Sequence, residues 1–381
     1  MKEEAIPASS STHDDVDRTW DRVVRRRSFL RNAGLTTTAI SAGTLLANKG
    51  KADDDRITQG DIAILRFLAA AEIIESDLWQ QYNELGGVNG GNPAYIAALQ
   101  NLDGDMPQYI TDNTDDELSH AAFLNAYLKS KGAEPVNLDK FRTLPSSQAT
   151  GAQQTGRLTN LQRLNVDTSW YVRYRSKDNP DFGATFPQAV SIENEPAIPL
   201  SDGDTAPNMD QPVPPTTPQQ QRMQAIANTA GFHFAFIEQG GSSLYTTMSL
   251  KATNLEVLRI VVSIGGVEVD HFSLWHDKAG NAVSQPLAGV TDPETNVTFP
   301  DLNAKNSDLF QTNLILPEPC EFISPALPLC SVIRPSLTKF AGAVATINAF
   351  TQDQLFLGQS DEFFETVMKL AIAADSARRE L

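Results

Sequence analysis

The 381-residue sequence is short of both cysteine and positive charge. Its two cysteines, Cys320 and Cys330, are too few for a disulfide scaffold or a cysteine-rich metal site. The 30 Lys and Arg residues against 47 Asp and Glu residues give a net charge of −17 at pH 7. Nucleic acids and anionic lipids are bound by basic surfaces. We therefore expect neither of them to be the main partner.

Long hydrophobic runs are also missing. No stretch approaches the roughly 18 uninterrupted apolar residues that a membrane-spanning helix needs, so no stable membrane span is expected in the mature form. Hydrophobic residues nevertheless make up 41% of the chain, which excludes wholesale disorder. The length suffices for one large hydrophobic core, or for one core with a smaller second core. The sequence is also compatible with a homo-oligomer.

The N-terminal region has the pattern of an export signal. Residues 25–31 read Arg-Arg-Arg-Ser-Phe-Leu-Arg, and a short, weakly apolar segment follows them. The part from Arg26 to Arg31 resembles the twin-arginine signal. We expect residues 1–52 to be this signal and a linker, with the protein exported to the periplasm, the cell envelope or the extracellular space. The alternative is a basic disordered tail.

Hydrophobic spacings of three and four residues predict four long helices. They cover residues 57–85, 114–131, 219–250 and 254–278. Thr114, with Glu117 three residues later, is the predicted N-cap of the second helix. A short helix is expected at 94–99, and further helices in the tail at 339–352 and 360–379.

Two proline-rich regions interrupt the helical pattern. Residues 133–218 are expected to form an inserted crossover that packs on the helices, with a strand-like stretch at 170–175. Residues 280–335 contain both cysteines, for which we expect a local disulfide if the chain is exported.

Two of the five histidines follow a glutamate by three residues. Glu117 and His120 lie on the second predicted helix, and Glu268 and His271 on the fourth. Three residues correspond to about 300° of rotation and 4.5 Å of rise, so each pair shares one helix face within reach of one ion. His233 and His276 lie off these faces and are not expected to be ligands.

The first and third helices offer carboxylates among apolar neighbours. These are Glu72 and Glu238, and a buried lone carboxylate is costly unless it has a partner. One Glu from each of two helices with Glu-x-x-His from the other two is the arrangement of di-iron and di-manganese carboxylate proteins. The predicted metal ligands are Glu72, Glu117, His120, Glu238, Glu268 and His271. Glu75, one turn after Glu72, is an alternative ligand or a neighbouring polar group.

Three tyrosines, Tyr82, Tyr127 and Tyr245, are candidates for hydrogen bonds to metal-bound carboxylates. The alternative for each of them is ordinary packing on an amphipathic helix.

Four segments carry a family resemblance. They are Leu65–Trp79, Asp116–His120, Phe236–Tyr245 and Val267–His271. Together they resemble the ferritin-like domain proteins related to plant desiccation proteins, over roughly residues 57–132 and 219–279. The resemblance implies an all-α fold, a ferritin-like four-helix bundle with a long crossover.

The expected organisation follows from this resemblance and the patterns. Residues 53–279 form the bundle with its insertion at 133–218, and residues 280–381 form a proline-rich extension with C-terminal helices. Two divalent metal ions, iron or manganese, are expected as cofactors. The expected function is oxidoreductase chemistry on O2, peroxide or ferrous iron. The alternative is a structural or stress-protective envelope protein without turnover.

Overall fold

The computed structural model describes most of the chain beyond the N-terminal region. The described residues are 56–169, 187–204, 210–280, 287–302, 304, 317, 319, 323–333, 335 and 339–380. The expected export signal, the strand-like stretch at 170–175 and Cys320 lie outside these residues.

Four long helices dominate the described part of the chain. They are α1 (Gln59–Gly86), α3 (Met106–Ser130), α4 (Pro218–Ser249) and α5 (Leu255–Trp275). Three shorter helices accompany them: α2 (Pro93–Gln100), α6 (Ala343–Gln352) and α7 (Asp361–Ser376). The described residues contain isolated β-bridges but no strand, so the predicted all-α fold is confirmed.

Side-chain caps fix where the long helices begin. Thr58 and Thr217 each form a reciprocal capping box, with Asp61 and Gln220 respectively. Asn254 accepts hydrogen bonds from the first turn of α5. Such a cap stabilises a helix by about 1 kcal/mol. These caps lie within two residues of the predicted helix starts.

The predicted start of α3 was wrong. The helix begins at Met106, with Pro107 in its first turn, where the missing proline N–H costs nothing. Thr114 therefore lies inside the helix. Its hydroxyl donates to the carbonyl oxygen of Ile110 in the same helix (2.7 Å) and to that of Trp79 (3.2 Å), and the second bond connects α3 to α1.

The long helices form two antiparallel pairs. Along α1 and α3, contacts run in opposite directions, from Asn83 with Thr111 to Glu72 with His120. In the α4–α5 pair, Gly265 allows close approach, because a Cβ atom there would lie 2.7 Å from the Cβ of Tyr245. Close helix contact of this kind places side chains from all four helices around one core.

The insertion between α3 and α4 packs on the bundle through a buried carboxylate. Asp77 of α1 accepts from the backbone N–H groups of Leu158 and Thr159, both at 2.9 Å, and pairs with Arg142 at 2.6 Å. The only regular elements among the described residues of 133–217 are 3-10 turns at Asp139–Phe141 and Asp202–Asp204.

The C-terminal extension contributes α6 and α7, which pack against each other, and α7 also packs along α1. Cys330 is exposed and its thiol is free. Its expected partner Cys320 lies outside the described residues, so the disulfide stays a prediction. None of the described helices is long and apolar enough to span a membrane.

Candidate metal centre

Each long helix contributes acidic or imidazole side chains to one buried cluster. Glu72 comes from α1, Glu117 and His120 from α3, Glu238 from α4, and Glu268 and His271 from α5. All six residues are buried, and none is more than 7% exposed. The structure thus brings together all six predicted metal ligands.

The cluster divides into two overlapping groups. One contains Glu72 and His120, the other Glu238 and His271, and both include Glu117 and Glu268. Within each group, one potential ligand atom per residue lies within 4.8 Å of all the others. Glu117 and Glu268 could therefore help to hold two ions, while each of the other four residues would help to hold one.

The histidine nitrogens lie at the separation expected for ligands of a common ion. His120 Nδ1 lies 3.4 Å from Glu72 Oε2 and 3.3 Å from Glu268 Oε1. His271 Nδ1 lies 3.3 Å from Glu238 Oε2. Two ligand atoms about 2.1 Å from one ion, at an angle of about 90–109°, are separated by about 3.0–3.4 Å.

Glu117 faces both histidines with different oxygen atoms. Its Oε2 lies 3.4 Å from His120 Nδ1, and its Oε1 lies 3.2 Å from His271 Nδ1. The carboxylate therefore spans the interval between the two groups, as a bridging ligand would.

The inward-facing atoms of the cluster have no hydrogen-bond partner among the described residues. They are Glu72 Oε2, Glu117 Oε2, His120 Nδ1, Glu238 Oε2, both oxygens of Glu268 and His271 Nδ1. Leaving so many buried polar atoms unpaired is costly, whereas metal ions would satisfy all of them at once. Four carboxylates also balance the charge of two divalent ions. The residues thus fit a dinuclear site.

Burial raises the pKa of three of the carboxylates. Burial first, and the charge of Glu117 second, raise the pKa of Glu72 to about 8 and that of Glu268 well above its usual range. Burial also raises the pKa of Glu238, although His271 opposes this shift. Without metal, the centre consequently holds protons on its carboxylates near neutral pH.

The two histidines compete with metal for the same carboxylates. Burial lowers the pKa of both His120 and His271, but the surrounding glutamates outweigh it and raise the pKa well above the ordinary value. Burial likewise opposes ionisation of Glu117, yet the two histidines hold its pKa well below its usual range. Metal binding would have to displace these protons.

Comparison with known proteins identifies the bundle. The family model described as "Ferritin-like domain" matches residues 60–281, which is more than half of the chain. The chain belongs to this family. The match spans all four long helices and the insertion between them. No curated protein and no solved structure matches the chain significantly.

An asparagine that was not predicted from the sequence donates hydrogen bonds to two carboxylates of the candidate metal centre. Asn113 Nδ2 donates to Glu117 Oε1 and Glu238 Oε1, both at 3.0 Å. Its own Oδ1 accepts from Trp275 Nε1 at 2.7 Å, which fixes the orientation of the amide. Asn113 lies one helical turn before Glu117 and so on the same helix face. This spacing is the sequence signal from which its contact with Glu117 could have been predicted.

Two further hydrogen bonds orient candidate ligands. His271 Nε2 lies 3.1 Å from Asp116 Oδ2, so this nitrogen carries a proton and Nδ1 is left to face the centre. Tyr245 donates to Glu72 Oε1, which confirms one of the tyrosine hydrogen bonds considered from the sequence. Tyr127 instead donates to Glu256 Oε2 at 2.9 Å.

Glu75 lies beside the candidate metal centre but belongs to neither group of potential ligands. Burial first, then the charges of Glu117, Glu268, Glu72 and Glu238, raise its pKa well above the ordinary value. Glu72 therefore has the better geometry for a ligand, and Glu75 is a neutral neighbour in the metal-free protein.

Gly241 leaves the space that Glu268 occupies. A Cβ atom at this position of α4 would lie 2.4 Å from Glu268 Oε2. A side chain at this position would require the Glu268 carboxylate to shift, so the present position of Glu268 depends on the glycine.

A cavity of about 540 Å³ reaches the centre from one side. It lies between α3 and α5, and its lining residues include His120, Phe123, Ile260, Ile264 and Arg259. The opening gives small molecules or ions a route to the His120 side of the bundle.

Proposed function

We propose that the protein binds two divalent metal ions, iron or manganese, in the four-helix bundle and uses them as an oxidoreductase. One observation carries the proposal: inward-facing atoms converge while buried and without hydrogen-bond partners, and they belong to Glu72, Glu117, His120, Glu238, Glu268 and His271. In this assignment Glu117 and Glu268, which belong to both groups, would hold both ions. Membership of the ferritin-like family supports it.

The donor set favours iron or manganese. It consists of carboxylate oxygens and imidazole nitrogens and contains no thiolate, whereas copper(I) and iron–sulfur sites depend on sulfur ligands. Bound at this centre, such a pair supplies two oxidising or reducing equivalents for O2, peroxide or ferrous iron.

The chain itself would position the ions and manage protons. Asn113 and Tyr245 hold three of the carboxylate oxygens, and Asp116 holds the imidazole of His271. The cavity at His120 admits the small substrate. Ionisable groups with raised pKa values are available to accept protons when metal leaves and to release them when metal binds.

The proposal includes export of the protein and kinship with the desiccation-related branch of the family. The twin-arginine pattern at 26–31 supports the first, and the segment Leu65–Trp79 supports the second. Both rest on sequence resemblance.

Elemental analysis of protein purified from its native compartment tests the metal assignment. We expect two iron or manganese ions per chain. Glu238→Gln and His120→Ala should each reduce the content well below two and abolish any peroxidase or ferroxidase activity. Glu75→Gln, the matched control, should reduce it much less.

Full metal loading in both ligand variants, or native protein without metal, would contradict the proposal. A structural or stress-protective role without turnover would then be the better interpretation.

A further inference from the structure

A second cavity lies apart from the candidate metal centre. Its volume is about 340 Å³, and it is lined by residues of the insertion, by Phe236 of α4 and by the C-terminal end of α6. Phe236 precedes Glu238 by two residues, which is about 200° of helix rotation. The cavity therefore lies on the side of α4 that faces away from the metal ligands. Its size is at the lower end of ordinary small-molecule sites, which span about 300–1,000 Å³.

The cavity carries negative charge. The described lining residues include three carboxylates, those of Asp167, Glu193 and Asp353, and no basic side chain. Asp353 is 1% exposed, Asp167 is half-buried and Glu193 is exposed at the rim. Asp353 is also the C-cap of α6, and the C-terminal end of a helix carries a negative partial charge. All of these features favour a cation over a neutral or anionic ligand.

The most buried of these carboxylates has no hydrogen-bond donor among the described residues. Neither oxygen of Asp353 accepts a hydrogen bond. His233 Nε2 lies 3.1 Å from Asp353 Oδ2 but without the geometry of a hydrogen bond, and the other nitrogen, Nδ1, lies 2.7 Å from Tyr82 Oη. A buried carboxylate without a donor is costly. A cation that donates hydrogen bonds to Asp353 would remove this cost.

The unfavourable surroundings of Asp353 also affect its ionisation. Burial first, and the charge of Asp167 in addition, raise the pKa of Asp353 above its ordinary value, although His233 opposes the shift. A positive charge beside Asp353 would favour the ionised carboxylate. Ligand binding and ionisation of this group would therefore support each other.

Hydrogen bonds hold the walls of the cavity in place. Gln188 Oε1 accepts from the backbone N–H of Thr168 at 2.7 Å, and Gln188 Nε2 donates to Asp167 Oδ1 at 3.0 Å. The backbone N–H of Asn165 donates to the carbonyl oxygen of Asp353 at 3.0 Å, which joins the insertion to the end of α6. A preformed site of this kind loses less entropy when it binds a ligand.

The donor geometry favours an organic cation over a metal ion. Among the described residues, the acidic and imidazole groups that lie close enough to share one ion are those of the candidate metal centre. The carboxylates of the second cavity are not among them. Apolar side chains also line it, namely Phe236, Val166 and Ile192. An ammonium group on an alkyl chain matches both the charge and the apolar surface, and an aromatic ring attracts such a cation further.

We propose that this cavity binds a small organic cation, a primary alkylammonium ion, whose ammonium group donates to Asp353. An ammonium group has three N–H donors and no acceptor, which suits a lining rich in carboxylates. The alkyl chain packs against Phe236. In a diamine, the second ammonium group is attracted by Glu193 at the rim. This binding site is independent of the metal centre.

Isothermal titration calorimetry of the full-length protein with 1,4-diaminobutane tests the proposal. The titration is run near neutral pH in about 0.15 M salt, which screens nonspecific attraction to the acidic surface. We expect one site per chain with a Kd below about 1 mM, which is within the affinity that six non-hydrogen atoms can supply. The neutral 1,4-butanediol, of equal length, should bind about tenfold more weakly or not at all.

Two variants locate the binding site. Asp353→Asn keeps the shape of the side chain but removes its charge, and it should weaken binding about tenfold or more. Ser191→Trp, at an exposed lining position, should also weaken binding, because the indole fills space in the cavity without a change of charge. Glu134→Gln is the control: it removes one charge from an exposed residue outside the lining and should leave the Kd unchanged.

Thermal unfolding shows whether each variant is folded. Ser191 is exposed, so Ser191→Trp keeps the proposal testable if Asp353→Asn does not fold. The metal-free and metal-loaded forms of the protein should bind the diamine with equal affinity, because the two sites lie on different sides of α4.

Three results would overturn the proposal. The first is unchanged affinity in the folded Asp353→Asn or Ser191→Trp variant, and the second is equal binding of the diamine and the diol. The third is a calcium or magnesium ion that binds more tightly than the diamine and loses this affinity in Asp353→Asn, which would make the cavity a metal site. None of these results would affect the proposed metal centre.

Discussion

Asn113 donates its side-chain amide to Glu117, 3.0 Å away and one helical turn further along α3. The same amide donates to Glu238 on α4, and Trp275 on α5 fixes its orientation. One neutral residue thus links three helices at the point where their carboxylates converge. The arrangement suggests that the geometry of the centre depends on residues that bind no metal.

Removing this amide should weaken metal binding without removing a ligand. We expect Asn113→Ala to lower the affinity for iron or manganese about 10–100-fold, because partners that orient ligands have effects of this size. A chelator-competition titration measures the affinity. Asn125→Ala is the control, since Asn125 holds the backbone of Val136 and is not among the grouped ligands. Equal affinities in both variants would contradict the role of Asn113.

The free energy of unfolding should change with pH in opposite directions in metal-free and in metal-loaded protein. Folding raises the pKa of Glu72 from 4.5 to about 8 and raises those of Glu268, His120 and His271, so the folded state binds more protons than the unfolded state. The free energy of unfolding of metal-free protein should therefore fall as the pH rises from about 4.5 to 8. The lowered pKa of Glu117 has the opposite effect, but mainly below its ordinary value of 4.5 and so below this range.

Metal binding should reverse the sign of this pH dependence, because the ions bind deprotonated carboxylates and neutral imidazoles. The stabilisation that metal provides should grow as the pH rises over the same range. Urea unfolding at several pH values, with and without metal, measures both trends. Parallel pH profiles would show that these groups do not bind the ions.

Adding a methyl group at Gly241 should disrupt the centre. The new Cβ atom would lie 2.4 Å from Glu268 Oε2, so we expect Gly241→Ala to lose metal and thermal stability. Gly266→Ala is a matched control on α5, because nothing lies within 4 Å of its new Cβ. The control should retain two ions and gain about 0.5–1 kcal/mol of stability, as expected for alanine in a helix. Metal analysis with thermal unfolding distinguishes the two variants, and unchanged metal content in Gly241→Ala would refute the packing argument.

Export should depend on the paired arginines of the N-terminal pattern. Replacing Arg26 and Arg27 with lysine should leave the precursor inside the cytoplasm, because the twin-arginine route requires both. Cell fractionation followed by immunoblotting measures the distribution. Normal export of the variant would point to another route.

The helix pairs and the candidate ligands could be predicted because each has a local signal. Apolar spacing marks the long helices, and a three-residue interval marks Glu117 with His120 and Glu268 with His271. The early start of α3 was missed because Asn113 and Thr114 are polar and look like a helix boundary. In the fold they are buried, where Asn113 binds the carboxylates and Thr114 binds α1.

Contacts between distant segments had no such signal. His233 lies off the metal-facing side of its helix, and its partner Asp353 is 120 residues further along the chain. Asp77 likewise accepts hydrogen bonds from backbone N–H groups of the insertion, whose proline-rich sequence has no hydrophobic periodicity. Pairings of this kind depend on tertiary packing, which single-sequence patterns do not encode.

Anomalous X-ray diffraction at the iron or manganese absorption edge tests the central claim most directly. Crystals of metal-loaded protein should show two peaks about 3.5–4 Å apart, the usual spacing of paired metals in proteins. Glu117 and Glu268 should lie between the peaks, with His120 and Glu72 at one and His271 and Glu238 at the other. The absence of anomalous density among these six side chains, or a single ion outside them, would contradict the account.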